Sequence, residues 1–135
     1  MSDQIKKFIN VVCAVLEDTD GKIFVARRPE GKTLAGGWEF PGGKIEKNEL
    51  PEQALHREIK EELEVDIELG AALSTSTYDY DFGTVALTPF RARIVRGVIN
   101  LTEHPEGRWV PLKKLPHLNW VPADIPIMQA LLCES

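Results

Sequence analysis

The stretch from Gly42 to Val65, GGKIEKNELPEQALHREIKEELEV, places a glycine turn directly before an acidic helical segment. At 3.6 residues per turn, Glu58 lies one turn before Glu62 and close to Glu61, so three carboxylates crowd together. Like charges at this spacing destabilise an isolated helix, and a cation is expected to offset their repulsion. Carboxylate oxygens suit Mg²⁺ or Mn²⁺, and Mg²⁺ usually binds through carboxylates, water and substrate phosphates. The stretch therefore indicates a divalent metal and phosphate chemistry.

The ordinary interpretation of a glutamate run is a solvated helix face, and spacing alone does not decide against it. Leu55, Ile59 and Leu63 recur at four-residue steps and predict a buried stripe, which directs the glutamates toward another side. Arg57 precedes Glu58, so its guanidinium can hold a carboxylate in one orientation, the alternative being a surface ion pair. A fixed acidic face favours metal binding.

Eight residues of this stretch have the spacing of the Nudix box, which the segment closely resembles: Gly43, Glu49, Arg57, Glu58, Ile59, Glu61, Glu62 and Val65. Two positions depart from the family's pattern. Glu64 stands where the family has a glycine, and a left-handed cap is strained for glutamate, so we expect the helix to continue slightly or to end in another turn. Leu50 replaces the usual Ser or Thr, so Pro51 is expected to begin the helix with weaker capping, helped by Gln53.

Length, charge and cysteine content agree with a small intracellular enzyme. We expect a single domain over residues 1–135, which is enough chain for one hydrophobic core. The net charge of -5 argues against a nucleic-acid polymer as the main partner, because backbone binding needs clustered Lys and Arg. Cys13 and Cys133 lack metal-like spacing and indicate reduced thiols. No signal peptide or membrane span is expected, and a cytoplasmic setting fits.

The remaining pattern predicts several strands and one further helix. Strands are expected at residues 8–16, 22–28, 65–80, 84–95 and 108–111, with turns at 18–21, 81–83 and 96–97. A polar loop is expected over residues 29–37, and a closing helix over 126–133. The Nudix resemblance implies an α/β fold, an α/β/α sandwich in which helices cover a mixed central sheet.

Further motifs resemble the MutT-type nucleoside triphosphate pyrophosphohydrolases of this family: Arg27-Arg28, the WEFPGGK segment at 38–44, and Val121-Pro122-Ala123-Asp124. The resemblance implies that water cleaves a (deoxy)nucleoside triphosphate to a monophosphate and pyrophosphate, as in nucleotide-pool sanitation. It also implies divalent metals, Mg²⁺ or Mn²⁺, held by Glu58, Glu61, Glu62 and the Gly42 carbonyl. Metal ions neutralise the polyphosphate and lower the pKa of a bound water.

The residue that takes the proton from water is open between two glutamates. Glu58 lies within the metal cluster, whereas Glu103, in the loop before Trp109, matches a position where the family often places a further metal ligand or base. An exposed loop carboxylate explains Glu103 equally well, because short loop motifs are weak evidence. Glu49 is expected to hold the loop and helix together rather than to touch substrate.

Four residues resemble positions that contact the nucleotide. Arg28 matches the family's arginine near the phosphate and sugar, where a guanidinium forms forked hydrogen bonds, although a solvated strand end is the alternative. Lys44 offers a point charge to the phosphates or is merely exposed. Phe40 and Asp124 resemble residues that line the base pocket.

Asp124 stands where the oxidised-guanine hydrolases of MutT type have an asparagine. An ionised aspartate only accepts hydrogen bonds, which suits the amino group of cytosine or adenine and the N7 hydrogen of 8-oxoguanine. It faces the O6 of 8-oxoguanine unfavourably unless it is protonated. Similar Pro-Ala-Asp-Ile-Pro endings occur in CTP pyrophosphohydrolases of the family, so cytidine nucleotides and 8-oxo-dGTP both stay open. A helix N-cap at Asp124 is compatible with either.

Two other classes compete with this interpretation. A non-catalytic nucleotide-binding Nudix domain would usually lose the box glutamates, which this chain keeps. Hydrolysis of another nucleoside diphosphate derivative is possible because the box does not define the leaving groups. His56, His104 and His117 show no ligand spacing and are expected at the surface, while the tryptophans are expected to pack. The sequence does not determine the oligomeric state.

Overall fold

The computed structural model describes residues 7–134. Its strands are β1 (Lys7–Leu16), β2 (Ile23–Arg27), β3 (Trp38–Glu39), β4 (Gly42–Lys44), β5 (Asp66–Ala72), β6 (Ser76–Tyr80), β7 (Gly83–Arg96) and β8 (Glu106–Val110). Its α-helices are α1 (Pro51–Leu63) and α2 (Ile125–Glu134), and short 3₁₀ segments cover Leu112–His117 and Pro122–Asp124. Among the residues that the structure describes, no helix is long and apolar enough to cross a membrane.

The strands form two sheets. The larger has the order β4-β1-β7-β5, with β6 also paired to β7, and the smaller has the order β3-β2-β8. Strands β1 and β7 are parallel along the whole of β1, whereas the other pairs are antiparallel. The mixed sheet confirms the predicted α/β class.

One predicted strand is divided in the structure. The expected strand over 65–80 is broken between β5 and β6, which pair with different parts of the long strand β7. Pro89 lies in β7 between the two paired parts, and it has no N–H to continue the ladder. Its carbonyl accepts the N–H of Leu73 at 2.8 Å, where the chain passes from β5 toward β6.

Two buried clusters lie on opposite faces of the larger sheet. Alternate residues of β1 point to opposite sides, so Val12 packs with α1 residues such as Leu55 and Ile59, while Cys13 packs in the cluster that includes Ile127 of α2. Helices therefore cover the sheet from both sides, as the sandwich prediction requires.

The helix α1 begins as its sequence predicts. Leu50 occupies the N-cap position and its side chain makes no capping hydrogen bond. The Gln53 side chain accepts the Leu50 N–H at 2.9 Å, and Pro51 takes the first helical position, where a missing N–H costs nothing.

The prediction for the end of α1 is wrong. The helix stops at Leu63, and Glu64 adopts the left-handed conformation with φ 60° and ψ 35°. The Glu64 N–H donates to the Lys60 carbonyl at 3.1 Å, and the Asn100 side-chain amide donates to the Glu64 carboxylate at 2.8 Å. Tertiary contacts at this end of the helix thus outweigh the backbone strain, which is about 1–2 kcal/mol for a residue other than glycine.

We expect Glu64→Gly to be more stable than Glu64→Ala by about 0.5–1 kcal/mol. Both variants lose the bond to Asn100, but only glycine adopts φ 60° without strain, and its greater freedom in the unfolded chain returns part of the gain. Urea unfolding of both proteins measures the difference. Equal stabilities would contradict a strained cap at this position.

Candidate active site

A cleft of about 1080 Å³ opens beside β1, β4 and α1. It is lined by all but one of the sequence-predicted site residues: Arg28, Phe40, Gly42, Lys44, Glu58, Glu61, Glu62, Glu103 and Asp124. The exception is Arg57, which contacts the glutamates from the side. The cleft has an acidic end at α1 and a second end at Asp124.

Glu62 is the most unusual residue at the acidic end. It is buried, and its Oε1 atom has no hydrogen-bond partner among the described residues. Its pKa is raised to about 9, mainly by burial and also by the carboxylates of Glu58, Glu39 and Glu103, while the Gly42 N–H opposes the shift. An unsatisfied buried carboxyl oxygen among other carboxylates is costly, and a bound cation would remove that cost.

Arg57 organises the glutamates around it. Its guanidinium donates twice to Glu49, from Nε at 2.7 Å and from an NH2 nitrogen at 2.9 Å, and this pairing holds the pKa of Glu49 at about 2. The other terminal nitrogen donates to Glu58 at 3.0 Å and to Glu61 at 3.3 Å. Among residues 7–134, no three or more acidic, histidine or cysteine side chains are gathered at metal-ligand spacing, and Arg57 engages Glu58 and Glu61. A divalent cation would have to draw them from Arg57 toward Glu62.

The glycine turn lets the acidic helix approach β4 closely. A Cβ atom on Gly43 would lie 2.3 Å from the Glu58 carboxyl carbon. A Cβ atom on Gly42 would lie 2.0 Å from the Val12 carbonyl oxygen on β1. The first glycine therefore seats β4 on the sheet, and the second makes room for a glutamate.

At the other end of the cleft, Asp124 is buried and faces the turn before β4. Its Oδ2 accepts the Phe40 N–H at 2.9 Å, so its hydrogen bond goes to this turn and not to the first turn of α2. Burial raises the pKa of Asp124 well above its usual range, and the nearby Glu39 carboxylate adds to the effect. Phe40 itself is largely buried and packs against Trp120, with ring centroids 4.8 Å apart.

The segment that carries Asp124 is held from β6. The Ala123 N–H donates to the Tyr80 hydroxyl at 2.8 Å, and the Ser76 hydroxyl donates to the Ala123 carbonyl at 2.7 Å. The Asp124 carboxyl group is therefore set on a rigid segment, as specific recognition requires.

Arg28 does not point freely into the cleft. It donates from Nε to the Thr33 carbonyl at 2.7 Å and from a terminal nitrogen to Glu39 at 3.1 Å. It therefore braces the loop over residues 29–37, and the same guanidinium would have to share its donors with a phosphate. Lys44 is exposed at the edge of the cleft, and so is Glu103.

Sequence reasoning missed Glu39 and was wrong about His104. The Glu39 carboxylate bridges Arg28 and the His104 Nε2 atom, which lies 3.0 Å away, and His104 is buried rather than at the surface. Glu39 lines the cleft together with Glu62 and Asp124, and its carboxylate raises the pKa values of both. Its only sequence signal is a lone acidic residue between the buried aromatics Trp38 and Phe40.

Known proteins similar to this chain include two enzymes and a solved structure. The chain is 34% identical to the CTP pyrophosphohydrolase of Escherichia coli strain K12, over 93% of each chain. It is 32% identical to the 8-oxo-dGTP diphosphatase of Haemophilus influenzae, over 96% of each chain. The solution structure of a MutT protein of the Nudix hydrolase family from methicillin-resistant Staphylococcus aureus 252 is 44% identical, with a TM-score of 0.79 over 97% of this chain and 100% of that one.

The Nudix domain family matches residues 7–131, which includes the glycine turn, the acidic helix and the segment that carries Asp124. The resemblance and the fold class predicted from the sequence are thus confirmed, and the chain belongs to the Nudix family of hydrolases.

Proposed function

We propose that this chain is a metal-dependent nucleoside triphosphate pyrophosphohydrolase that releases a monophosphate and pyrophosphate. The observation that carries the proposal is the buried, unpartnered Glu62 Oε1 atom at the acidic end of a cleft. Nudix hydrolases act on small nucleotides and generally need a divalent cation. Carboxylate and carbonyl oxygens are hard ligands, so Mg²⁺ or Mn²⁺ fits this donor set.

The residues proposed to hold the metal are Glu58, Glu61, Glu62, Glu103 and the Gly42 carbonyl. The bound ion would neutralise the polyphosphate and lower the pKa of the attacking water. Ionised Glu62 is disfavoured in the metal-free protein because it is buried, so metal binding should release a proton from it. Arg57 keeps its two hydrogen bonds to Glu49 and so stays beside these carboxylates.

We propose Glu103 rather than Glu58 as the group that accepts the proton from water. Burial raises the pKa of Glu58, which by itself favours it as a base, but Arg57 occupies the Glu58 carboxylate with a hydrogen bond at 3.0 Å. Within the described part of the chain, no hydrogen bond or ion pair engages the Glu103 side chain, which faces the cleft. A carboxylate without a competing partner is available to take a proton.

At the second end of the cleft, which would hold the nucleobase, the surroundings of Asp124 favour its neutral, protonated form. Its Oδ2 already accepts the Phe40 N–H, and its raised pKa leaves a proton for the other oxygen. A neutral carboxyl group both donates and accepts, so it matches the N3 and amino group of cytosine, and also the O6 and N7 hydrogen of 8-oxoguanine. The proposed substrates are therefore 8-oxo-dGTP or cytidine triphosphates, including modified ones. The similarity to enzymes named for each of these substrates supports both.

Asp124→Asn is expected to keep kcat/KM within about 5-fold of the unsubstituted enzyme at pH 7, because an amide also offers a donor and an acceptor. Asp124→Ala should lower kcat/KM by about 10- to 100-fold, since the nucleobase of the substrate then loses its hydrogen-bond partner. Steady-state kinetics on the preferred substrate make the comparison. An Asn variant as impaired as the Ala variant would show that the enzyme uses ionised Asp124.

Pyrophosphate release with Mg²⁺ tests the proposed function directly. The substrates to compare by kcat/KM are 8-oxo-dGTP, dCTP, CTP, 5-methyl-dCTP and dGTP. Preference for 8-oxo-dGTP would mean nucleotide-pool sanitation, and preference for cytidine nucleotides would place the amino group at Asp124. Turnover of none of them would contradict the proposal and favour a nucleotide sugar, a dinucleoside polyphosphate or a binding role.

The same proposal extends to the organisation of the protein. The family match over residues 7–131 supports a single domain over 1–135. A free nucleotide as the substrate supports a cytoplasmic setting without a nucleic-acid polymer or a membrane as the partner.

A further inference from the structure

The segment Asn100–His104, here called the strap, lies across the C-terminal end of α1. An α-helix leaves its last four carbonyls without helical partners, in this case those of residues 60–63. Glu64 satisfies the first of them by donating its N–H to Lys60. The strap satisfies the other three through the Asn100 N–H to Leu63 at 2.9 Å, the Thr102 N–H to Glu62 at 3.1 Å and the Thr102 hydroxyl to Glu61 at 2.7 Å.

Thr102 makes the most specific of these contacts. Its hydroxyl lies 2.7 Å from the Glu61 carbonyl and 3.2 Å from the Glu62 carbonyl, a three-centre arrangement. The next residue in the chain is Glu103. Thr102 thus hydrogen-bonds to the backbone of two glutamates of the Nudix box and directly precedes Glu103, a third acidic residue of the cleft.

His104 anchors the other side of Glu103. Its side chain is 4% exposed, and its Nε2 atom lies 3.0 Å from Glu39, which also lines the cleft. Consecutive Cα atoms are 3.8 Å apart, so a residue held between two fixed neighbours has little freedom to move along the helix. Glu103 itself is exposed toward the cleft and has no side-chain partner among residues 7–134. The strap fixes its backbone and leaves its carboxylate free.

The strap also explains why α1 ends where it does. If the helix continued past Glu64, the N–H groups of the next turn would take the carbonyls of residues 61–63. Thr102 and Asn100 would then lose their acceptors, and the strap would have no attachment to α1. The left-handed Glu64 is therefore a condition for this attachment.

We propose that Thr102 and His104 are positioning residues that set Glu103 at a fixed place relative to Glu61 and Glu62. This inference rests on the proposed function, in which Glu103 serves the metal site and the attacking water. The Thr102 hydroxyl is the element that a substitution can remove alone, because the two backbone hydrogen bonds of the strap remain.

The test is a double-mutant cycle between Thr102 and Glu103. Thr102→Val keeps the shape and removes the donor, and it is expected to lower kcat by about 10-fold with KM changed less than about 2-fold. Thr102→Ser keeps the hydroxyl and should restore kcat to near that of the unsubstituted enzyme. In the Glu103→Gln background, Thr102→Val should cause no further loss, since it acts through Glu103.

A second measurement does not depend on turnover. The affinity of the substrate-free protein for Mn²⁺, from the electron paramagnetic resonance signal of the free ion, is expected to fall by about 5-fold in Thr102→Val. The same substitution should leave the affinity of Glu103→Gln unchanged. If the unsubstituted protein hydrolyses no nucleoside triphosphate, the proposed function fails, but the Mn²⁺ cycle still decides whether Thr102 positions Glu103.

Thr84→Val is the matched control. The Thr84 hydroxyl donates to Asp79 at 2.6 Å, and Thr84 does not line the cleft, so its loss should leave kcat and Mn²⁺ affinity unchanged. If Thr102→Val folds poorly, His104→Gln provides a second test of the inference. His104→Gln should lower kcat in the unsubstituted protein and cause no further loss of kcat in the Glu103→Gln background. Equal losses in the presence and absence of Glu103 would overturn the inference and leave the strap as a helix cap only.

Discussion

Glu62→Gln is expected to abolish metal-dependent turnover and, at the same time, to stabilise the metal-free protein at pH 8. The substitution removes the charge that a divalent cation would bind and keeps the shape of the side chain. Loss of about 4 kcal/mol of transition-state stabilisation corresponds to roughly 1,000-fold in kcat. Turnover that survives in this variant would contradict a catalytic role for the acidic helix.

The gain in stability follows from the pKa of Glu62. Its value is raised from 4.5 to about 9 in the folded, metal-free protein, so the folded state holds this proton more tightly than the unfolded chain does. The resulting contribution to the free energy of unfolding is fully present below pH 4.5 and is lost as the pH rises toward 9. Glutamine does not ionise, so we expect the free energy of unfolding of Glu62→Gln at pH 8 to exceed that of the unsubstituted protein by about 1 kcal/mol or more.

Urea unfolding with EDTA at pH 5 and at pH 8 measures this difference. The advantage of Glu62→Gln should be larger at pH 8, and Mg²⁺ should stabilise the unsubstituted protein but not Glu62→Gln, since a ligand that binds the folded state raises its stability. Glu52→Gln, on the exposed first turn of α1, is the matched control and should keep turnover. An equal pH dependence in all three proteins would refute the buried carboxyl group as its cause.

Gly42→Ala is expected to lose stability and Gly43→Ala to lose activity, although the two glycines are neighbours. A Cβ atom on Gly42 meets backbone, at 2.0 Å from the Val12 oxygen and 2.6 Å from the Cys13 Cα atom. Neither atom can move without opening the sheet, so we expect a loss of about 3 kcal/mol or more in the free energy of unfolding. A Cβ atom on Gly43 meets only the Glu58 carboxyl group, which can rotate away.

Thermal unfolding and Mg²⁺-dependent kinetics separate the two cases. Gly43→Ala should lose activity, because Glu58 leaves the metal site, while its free energy of unfolding falls by less than about 1 kcal/mol. Gly42→Ala should lose stability first, and with it the folded fraction. A stable Gly42→Ala protein would show that β4 does not need close contact with β1.

Local patterns predicted the parts of the fold that depend on a single element. The four-residue spacing of Leu55, Ile59 and Leu63 indicated the buried face of α1, and all three are fully buried. Pro51 indicated the start of that helix. The resemblance of the Nudix box supplied the architecture, which periodicity alone would have left as a mixture of strands and helices.

Distant partners account for what the sequence did not show. His104 is buried because Glu39, 65 residues earlier, supplies its hydrogen bond, and no spacing signal reports such a pair. Glu64 takes a strained conformation because the strap occupies the last carbonyls of α1. In the same way, Pro89 on β7 marks where the predicted strand at 65–80 divides. Each error concerns a residue whose conformation depends on a contact remote in the chain.

The parallel pairing of β1 with β7 has a consequence for biosynthesis. Lys7 pairs with Gly83, so the first strand leaves the ribosome 76 residues before the strand beside which it finally lies. At 5–20 residues per second, β1 waits roughly 4–15 s with one edge and much of its apolar surface uncovered. The nascent chain therefore passes through an interval in which chaperone contact or misassociation competes with folding, and the acidic helix is synthesised before the sheet that supports it is complete.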